Sequence, residues 1–350
     1  MREFLNNLQA LRAYAAANVV FIHLLQIFGV ASLFGLYGVD LFFVLSGFIM
    51  AGIAMTAPSA FLTRRLIRIV PLYWICTMGV YAVALLKPQL LHTTQADMAN
   101  LAKSLFFVPY RKESGAMQPL LFLGWTLNYE IYFYLICSVV LFLRAARPLL
   151  WVCLIVSAMP ALALILPPAS DLIRFYSDPI VLEFALGMLT YCVFRRCHIQ
   201  SGQHRWEIWL LLVCLIVLPC MEAVEGTKHR EILLGLPAAG TIFAAAYLER
   251  TGVAVRSRFI LLVGNASYIL YLTHPYVLQA GEKFLFRGQW KSLTAKMALG
   301  LLLISAAVAF ACVLHVFVEV PLMRKLKRLF LPQESCRALP GQQTARVASL

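Results

Sequence analysis

Residues 10–28 read ALRAYAAANVVFIHLLQIF and residues 37–56 read YGVDLFFVLSGFIMAGIAMT, two apolar runs with a short connection between them. Each is as long as a helix must be to cross the hydrocarbon core of a bilayer, roughly 20 residues at about 1.5 Å of rise apiece. The first run leads directly into the second with no A-x-A-like site after it, so it is expected to stay as an anchor and not to be cleaved as a signal peptide.

Outward from these two runs the pattern continues. Of 350 residues, 61% are hydrophobic and 13% charged, with a mean hydropathy of +0.80. Soluble proteins run near ~45–50% apolar and ~25% charged, so a soluble enzyme is excluded. The expected fold is all-α, a polytopic integral membrane protein with about ten transmembrane helices. The candidate spans are about 10–28, 37–56, 66–86, 119–143, 149–167, 180–194, 207–221, 231–248, 259–281 and 295–320. The sixth and seventh are short and open to tilt or re-entry. One membrane domain, 1–330, fills the chain. Residues 331–350, LPQESCRALPGQQTARVASL, are polar and unpatterned and are expected to form a disordered cytoplasmic tail. The longest loop, about 87–118, is too small to fold alone but long enough to cover a cavity.

The 30 Lys and Arg residues and the net charge of +14 raise a nucleic-acid reading, which their positions answer. They sit at the ends of the apolar runs. With the N-terminus in the cytoplasm, the inner segments hold Arg64, Arg65 and Arg68, then Arg144 and Arg147, Arg195 and Arg196, Arg250 and Arg256, and finally Arg324, Lys325, Lys327 and Arg328. Acidic loop residues such as Asp97, Glu113, Asp171 and Glu225 fall on the opposite side. The positive-inside rule selects this orientation, with both termini cytoplasmic. Topology and attraction to anionic membrane lipids account for the basic balance, and no nucleic-acid partner is expected. Cys76, Cys137, Cys153, Cys192, Cys214, Cys220 and Cys312 lie inside apolar segments, with no CxxC and no spacing to His that suggests a metal. They read as small core residues.

A charge at mid-bilayer costs about 2.5–3.5 kcal/mol on insertion scales, so each one asks for a reason. Arg12 and His23 are eleven residues apart on the first helix, about 16 Å of rise and about 20° of rotation, and so share a face. Arg12 reads as a snorkelling anchor or a ligand group; His23 reads as a packing residue or, more in keeping with its depth, a proton-transfer group. By the hairpin, Asp40 should lie level with His23 and either orient its imidazole or cap the second helix. Gly47 and Ser46 mark close helix packing. In FLTRRLIRIVPLYW, 61–74, Arg65 and Arg68 share a face and suit either phosphate or topology. In GWTLNYEIYFYL, 124–135, Glu130 is too deep for a topology signal, while Trp125 and Tyr129 read as a packing surface, an interfacial belt or a sugar platform. In GNASYILYLTHP, 264–275, His274 precedes Pro275, and Glu319 precedes Pro321; each reads as a helix-end polar group or a reagent.

Taken in order, these motifs resemble acyltransferase family 3, the membrane acyltransferases that include O-antigen and exopolysaccharide O-acetyltransferases. The resemblance covers about residues 5–325 and rests on Arg-x10-His at Arg12 and His23, GVDLFFVLSGFI, the RxxR of Arg65 and Arg68, GWTLNYEIYFY and GNASYILYLTHP. It implies transfer of an acetyl or other short acyl group from cytoplasmic acyl-CoA to a sugar hydroxyl at the membrane of a bacterium. Acetyl-CoA is then a donor substrate, with no permanently bound cofactor and no metal. The implied partners are a lipid-linked or growing polysaccharide acceptor and a polysaccharide-assembly complex.

By matching position, His23, Glu130 and Asp40 form the catalytic set and Arg12, Arg65 and Arg68 the acyl-CoA site. Trp125, Tyr129 and His274 are assigned to substrate. His23 would deprotonate the sugar hydroxyl, with Asp40 or Glu130 orienting its ring; an acyl-histidine intermediate is the rival mechanism. Some members carry a fused hydrolase-like domain, so direct transfer or a separate partner is expected here. The competing classes are a glycolipid transporter or flippase, which ten spans with buried charges also suit, and an assembly scaffold.

Overall fold

The computed structural model describes residues 5–29, 37–91, 94–197, 205–225, 229–286 and 292–331. Among these, every apolar run falls on a helix. They are α1 (Asn6–Ile27), α2 (Tyr37–Thr56), α3 (Phe61–Leu86), α4 (Met98–Leu105), α5 (Trp125–Phe142), α6 (Pro148–Ala163), α7 (Asp171–Tyr176), α8 (Leu182–Arg196), α9 (Arg205–Glu225), α10 (Arg230–Leu233), α11 (Gly235–Arg250), α12 (Arg258–Ala280), α13 (Leu293–Leu314) and α14 (Val320–Phe330). Among the described residues the only extended pairing is an isolated bridge between Arg111 and Met117. Six segments of the described residues are long and apolar enough to cross a membrane: Asn6–Ile27, Tyr37–Thr56, Phe61–Leu86, Phe122–Phe142, Arg230–Arg250 and Leu293–Phe330. The tail expected over 331–350 lies, apart from Leu331, outside the described residues.

The bundle is apolar on its flanks and holds a few charged groups inside an apolar core. Ile75, Phe142, Leu164 and Leu301 are more than half exposed on its flanks, while Asp40, Glu183, His274 and Glu319 are wholly buried. That arrangement suits a lipid solvent, which costs an apolar side chain nothing and penalises a bare charge.

Glycine decides how closely the helices approach. A Cβ on Gly47 would collide with the Phe184 carbonyl, and one on Gly187 with the Val44 carbonyl, so α2 and α8 touch backbone to backbone from both sides. The close packing expected at Gly47 is therefore present. Gly264 on α12 lies equally close to the Gln9 carbonyl on α1. Farther along the same two helices His274 meets His23, so α1 and α12 run parallel. The start of α1 is tied to α11: both carboxylate oxygens of Glu249 accept from the backbone N–H groups of Asn6 and Asn7, at 2.7 and 2.6 Å. These are free first-turn donors that no local side chain caps.

Residues 87–91 and 94–118 pack back on the bundle as a cap. Arg111 forms a two-pronged ion pair with Asp171 at 2.9 and 2.6 Å. Trp74 Nε1 donates to the Leu105 carbonyl, and Ser104 Oγ accepts from Leu120 N. Lys112 is enclosed beside Thr94, and burial pushes its ammonium down to about 8.

Candidate active site

Five helices, α1, α2, α3, α5 and α12, enclose a cavity of about 860 Å³ of empty space, its mouth included. Arg12, Arg65, Arg68 and Glu130 all line it, so four residues singled out from three motifs converge. Arg12 and Arg65 reach it from different helices and Arg65 and Arg68 from one helical face, as their i, i+3 spacing requires. Among the described residues none of the three guanidinium groups makes a side-chain hydrogen bond or ion pair, and Arg65 Nε is buried without a partner. Glu130 and Glu319 lie within electrostatic range of Arg12 without closing on it. Glu130 accepts instead from Tyr134 Oη at 2.7 Å and from Ser46 Oγ at 3.1 Å.

The cavity climbs from the arginines past Ser46 to Thr126 and Tyr271, whose hydroxyls lie 3.0 Å apart. The Tyr271 ring is centred 6.2 Å from that of His274, one turn farther along α12. There His274 Nε2 lies 3.2 Å from His23 Nδ1, the two rings near perpendicular. Each imidazole also uses Nδ1 on a carbonyl of its own helix, His23 on Val19 and His274 on Leu270, both at 2.8 Å. Among the described residues His23 Nε2 makes no hydrogen bond, and neither imidazole lines the cavity itself.

Several expected placements differ. His23 does not meet Asp40. Gly38 packs on the Ala15 carbonyl, eight residues before His23 on α1, so α2 starts about 12 Å short of the level a tight hairpin would give. Both Asp40 oxygens are taken by Arg230, Nε to Oδ1 at 2.7 Å and Nη2 to Oδ2 at 2.5 Å, beside buried Glu183. Glu130 does not touch His23 either, being held by Ser46 and Tyr134. His274 is not a helix-end group, because α12 runs through Pro275 to Ala280 and buries the imidazole completely. Glu319 is likewise internal, in the π-helical turn His315–Glu319, where it pairs with His315 Nδ1 at 2.7 Å.

Tyr129 is spent on packing: its ring stacks on Phe175 at 4.1 Å and its hydroxyl donates to the Phe175 carbonyl. Trp125, half-buried, leans edge-on to Tyr129 and Phe43.

Ser267, Tyr268 and Tyr271 line the cavity and were not singled out from the sequence. Their spacing to His274 held the signal, since 267, 271 and 274 follow the i, i+4, i+7 rule for one helix face. Arg230 and Glu183 carried no such signal, because their partner lies on a different helix.

Comparison with known proteins places this architecture. A sequence model described as "Acyltransferase domain" matches residues 5–316. The chain is 32% identical over 325 residues to the exopolysaccharide production protein ExoZ of Rhizobium meliloti (strain 1021), covering 83% of this chain and 90% of the relative. It is 28% identical to the acyltransferase MdmB of Streptomyces mycarofaciens, covering 84% of this chain and 82% of the relative. To the putative peptidoglycan O-acetyltransferase YrhL of Bacillus subtilis (strain 168) it is 25% identical, covering 79% of this chain and 49% of the relative. No solved structure matches. A match over nearly the whole chain, on a helical bundle that buries its charged residues, means that the protein belongs to acyltransferase family 3 and is a multi-pass membrane enzyme of the O-acetyltransferase type.

Proposed function

We propose that the protein transfers an acetyl or other short acyl group from acyl-CoA, taken from the cytoplasm, to a sugar hydroxyl of a lipid-linked or growing cell-surface polysaccharide. The observation that carries this is the set of three arginines facing one cavity with no hydrogen-bonded or ion-paired partner among the described residues. Intramembrane charges normally pair with one another, and those left open mark a ligand path. Guanidinium forks match phosphate oxygens, which the nucleotide end of CoA supplies. The name of ExoZ supports a polysaccharide acceptor and that of YrhL an O-linked acetyl product.

In this reading the phosphates rest on Arg12, Arg65 and Arg68, and the pantetheine arm follows the cavity towards Tyr271. The rise from Arg12 to His23 is about 16 Å, within reach of that arm. His23 Nε2 takes the proton of the sugar hydroxyl while its oxygen attacks the thioester carbonyl carbon. The tetrahedral adduct collapses with breakage of the C–S bond, and the CoA thiolate takes the proton from His23. Glu130 keeps the arginine cluster from excess positive charge and holds Ser46 and Tyr134 on the cavity wall. A bacterial cytoplasmic membrane with both termini inside places the arginine end towards the donor.

The test gives purified protein radiolabelled acetyl-CoA and a crude lipid-linked saccharide fraction, comparing wild type with His23→Ala and Glu130→Gln at matched folding. Label on saccharide with the wild type, and none with His23→Ala, is the expected result. A folded wild type that leaves the donor intact would put a saccharide carrier in its place.

A further inference from the structure

The reading above needs His23 to present a bare Nε2, and this inference rests on that reading. We infer that His274 is the positioning residue of the reaction: its Nε2 shares the Nδ1 proton of His23 with the Val19 carbonyl, and together these two acceptors hold that ring in the tautomer whose Nε2 is free.

The hydrogen bonds lead there step by step. His274 Nδ1 lies 2.8 Å from the Leu270 carbonyl oxygen, which only accepts, so Nδ1 carries the hydrogen. In a neutral imidazole Nε2 is then an acceptor, and it faces His23 Nδ1 at 3.2 Å. His23 Nδ1 also lies 2.8 Å from the Val19 carbonyl. It therefore faces two acceptors and must carry a hydrogen shared between them. The opposite tautomer would set the lone pairs of His23 Nδ1, His274 Nε2 and the Val19 carbonyl against one another beside a fully buried ring.

No carboxylate takes this role among the described residues. Asp40 is bound by Arg230, and Glu130 by Ser46 and Tyr134. The other neighbours of the pair are rings, Phe122 centred 5.7 Å from His23 and Tyr271 at 6.2 Å from His274. An imidazole thus stands where the triad of a hydrolase has its acid. The close approach of Gly264 to Gln9 keeps α1 and α12 near enough for the two side chains to meet.

The test compares His274→Gln, whose amide oxygen reproduces the acceptor near the Nε2 position, with His274→Leu, which removes it. The expected result is a fall in kcat of about 100-fold for Leu, with KM for acetyl-CoA little changed and activity largely restored in Gln. Equal losses in both variants, or full activity in Leu, overturn the inference while wild-type transfer and a dead His23→Ala leave the acyltransfer reading standing. Should His274→Leu fail to fold, ¹⁵N NMR of labelled histidines in wild type and His274→Gln decides, with the His23 signals assigned by their loss in His23→Asn. An Nδ1–H tautomer of His23 in both supports the inference, and an Nε2–H tautomer in wild type overturns it.

Discussion

An arginine withheld from water and given no carboxylate is among the costliest residues a membrane helix can carry. Arg12, Arg65 and Arg68, each half-buried around one cavity, hold no bonded carboxylate among the described residues, whereas Arg230 is bound in both prongs to Asp40. The two environments predict opposite phenotypes. Arg65→Lys keeps the charge but loses the planar fork, so KM for acetyl-CoA rises about tenfold with the fold intact, read by initial rates and thermal unfolding. Asp40→Asn strands a buried guanidinium and costs about 3–5 kcal/mol of stability, visible as a lowered Tm. Turnover per folded molecule stays unchanged, because Asp40 does not reach His23. A kcat defect in well-folded Asp40→Asn would return that carboxylate to the chemistry.

Between helices, glycine sets the distances that place the site. Gly47 and Gly187 put the α2 and α8 backbones in contact, and a methyl group at either meets a carbonyl oxygen with no side chain able to yield. Gly47→Ala should cost at least about 1–3 kcal/mol, the usual range for overpacking, measured by unfolding in detergent. The cap over 94–118 carries a pH-dependent element. Burial lowers the folded Lys112 ammonium to about 8 against the model-peptide value of 10.5. Between those values the unfolded chain binds the extra proton, so the stability contribution of Lys112 improves as pH rises from 8 to 10.5. Below pH 8 the penalty is constant. Lys112→Met should therefore stabilise the cap at neutral pH and lose its advantage towards pH 10.5, as followed by limited proteolysis of the cap.

For the whole molecule, the exposed apolar flanks and the burial of Asp40, Glu183 and Glu319 describe a bundle whose solvent is lipid. Because α1 and α12 run parallel, they cross the membrane in the same direction. If all ten apolar helices span, cysteines introduced near Gly115 and near Ala146 will label from opposite faces of sealed vesicles, with Ala146 on the cytoplasmic side. Labelling of both from one face would remove a span between them and break the positive-inside assignment.

The extent and class of the fold were legible because hydropathy is summed over twenty residues and needs no partner: each apolar run, from 10–28 to 295–320, became a helix. That Arg12, Arg65, Arg68 and Glu130 each needed a reason was legible too, since Arg65 and Arg68 share a face by spacing alone and an unexplained charge in lipid announces itself; that Glu130 lies with the arginines and not with His23 was not. Pairing across helices was not. His23 and Asp40 looked level only on the assumption of a tight turn, and the packing of Gly38 on Ala15 removed it. Whether an imidazole meets a carboxylate or another imidazole depends on which helices lie side by side, and that is set by backbone contacts at Gly47, Gly187 and Gly264 between residues far apart in the chain. The sequence by itself determined the solvent, the helices and the residues that lipid would not tolerate without cause; the tertiary structure alone decided that Asp40 serves Arg230 and that His23 faces His274, because those are properties of neighbours and not of spacing.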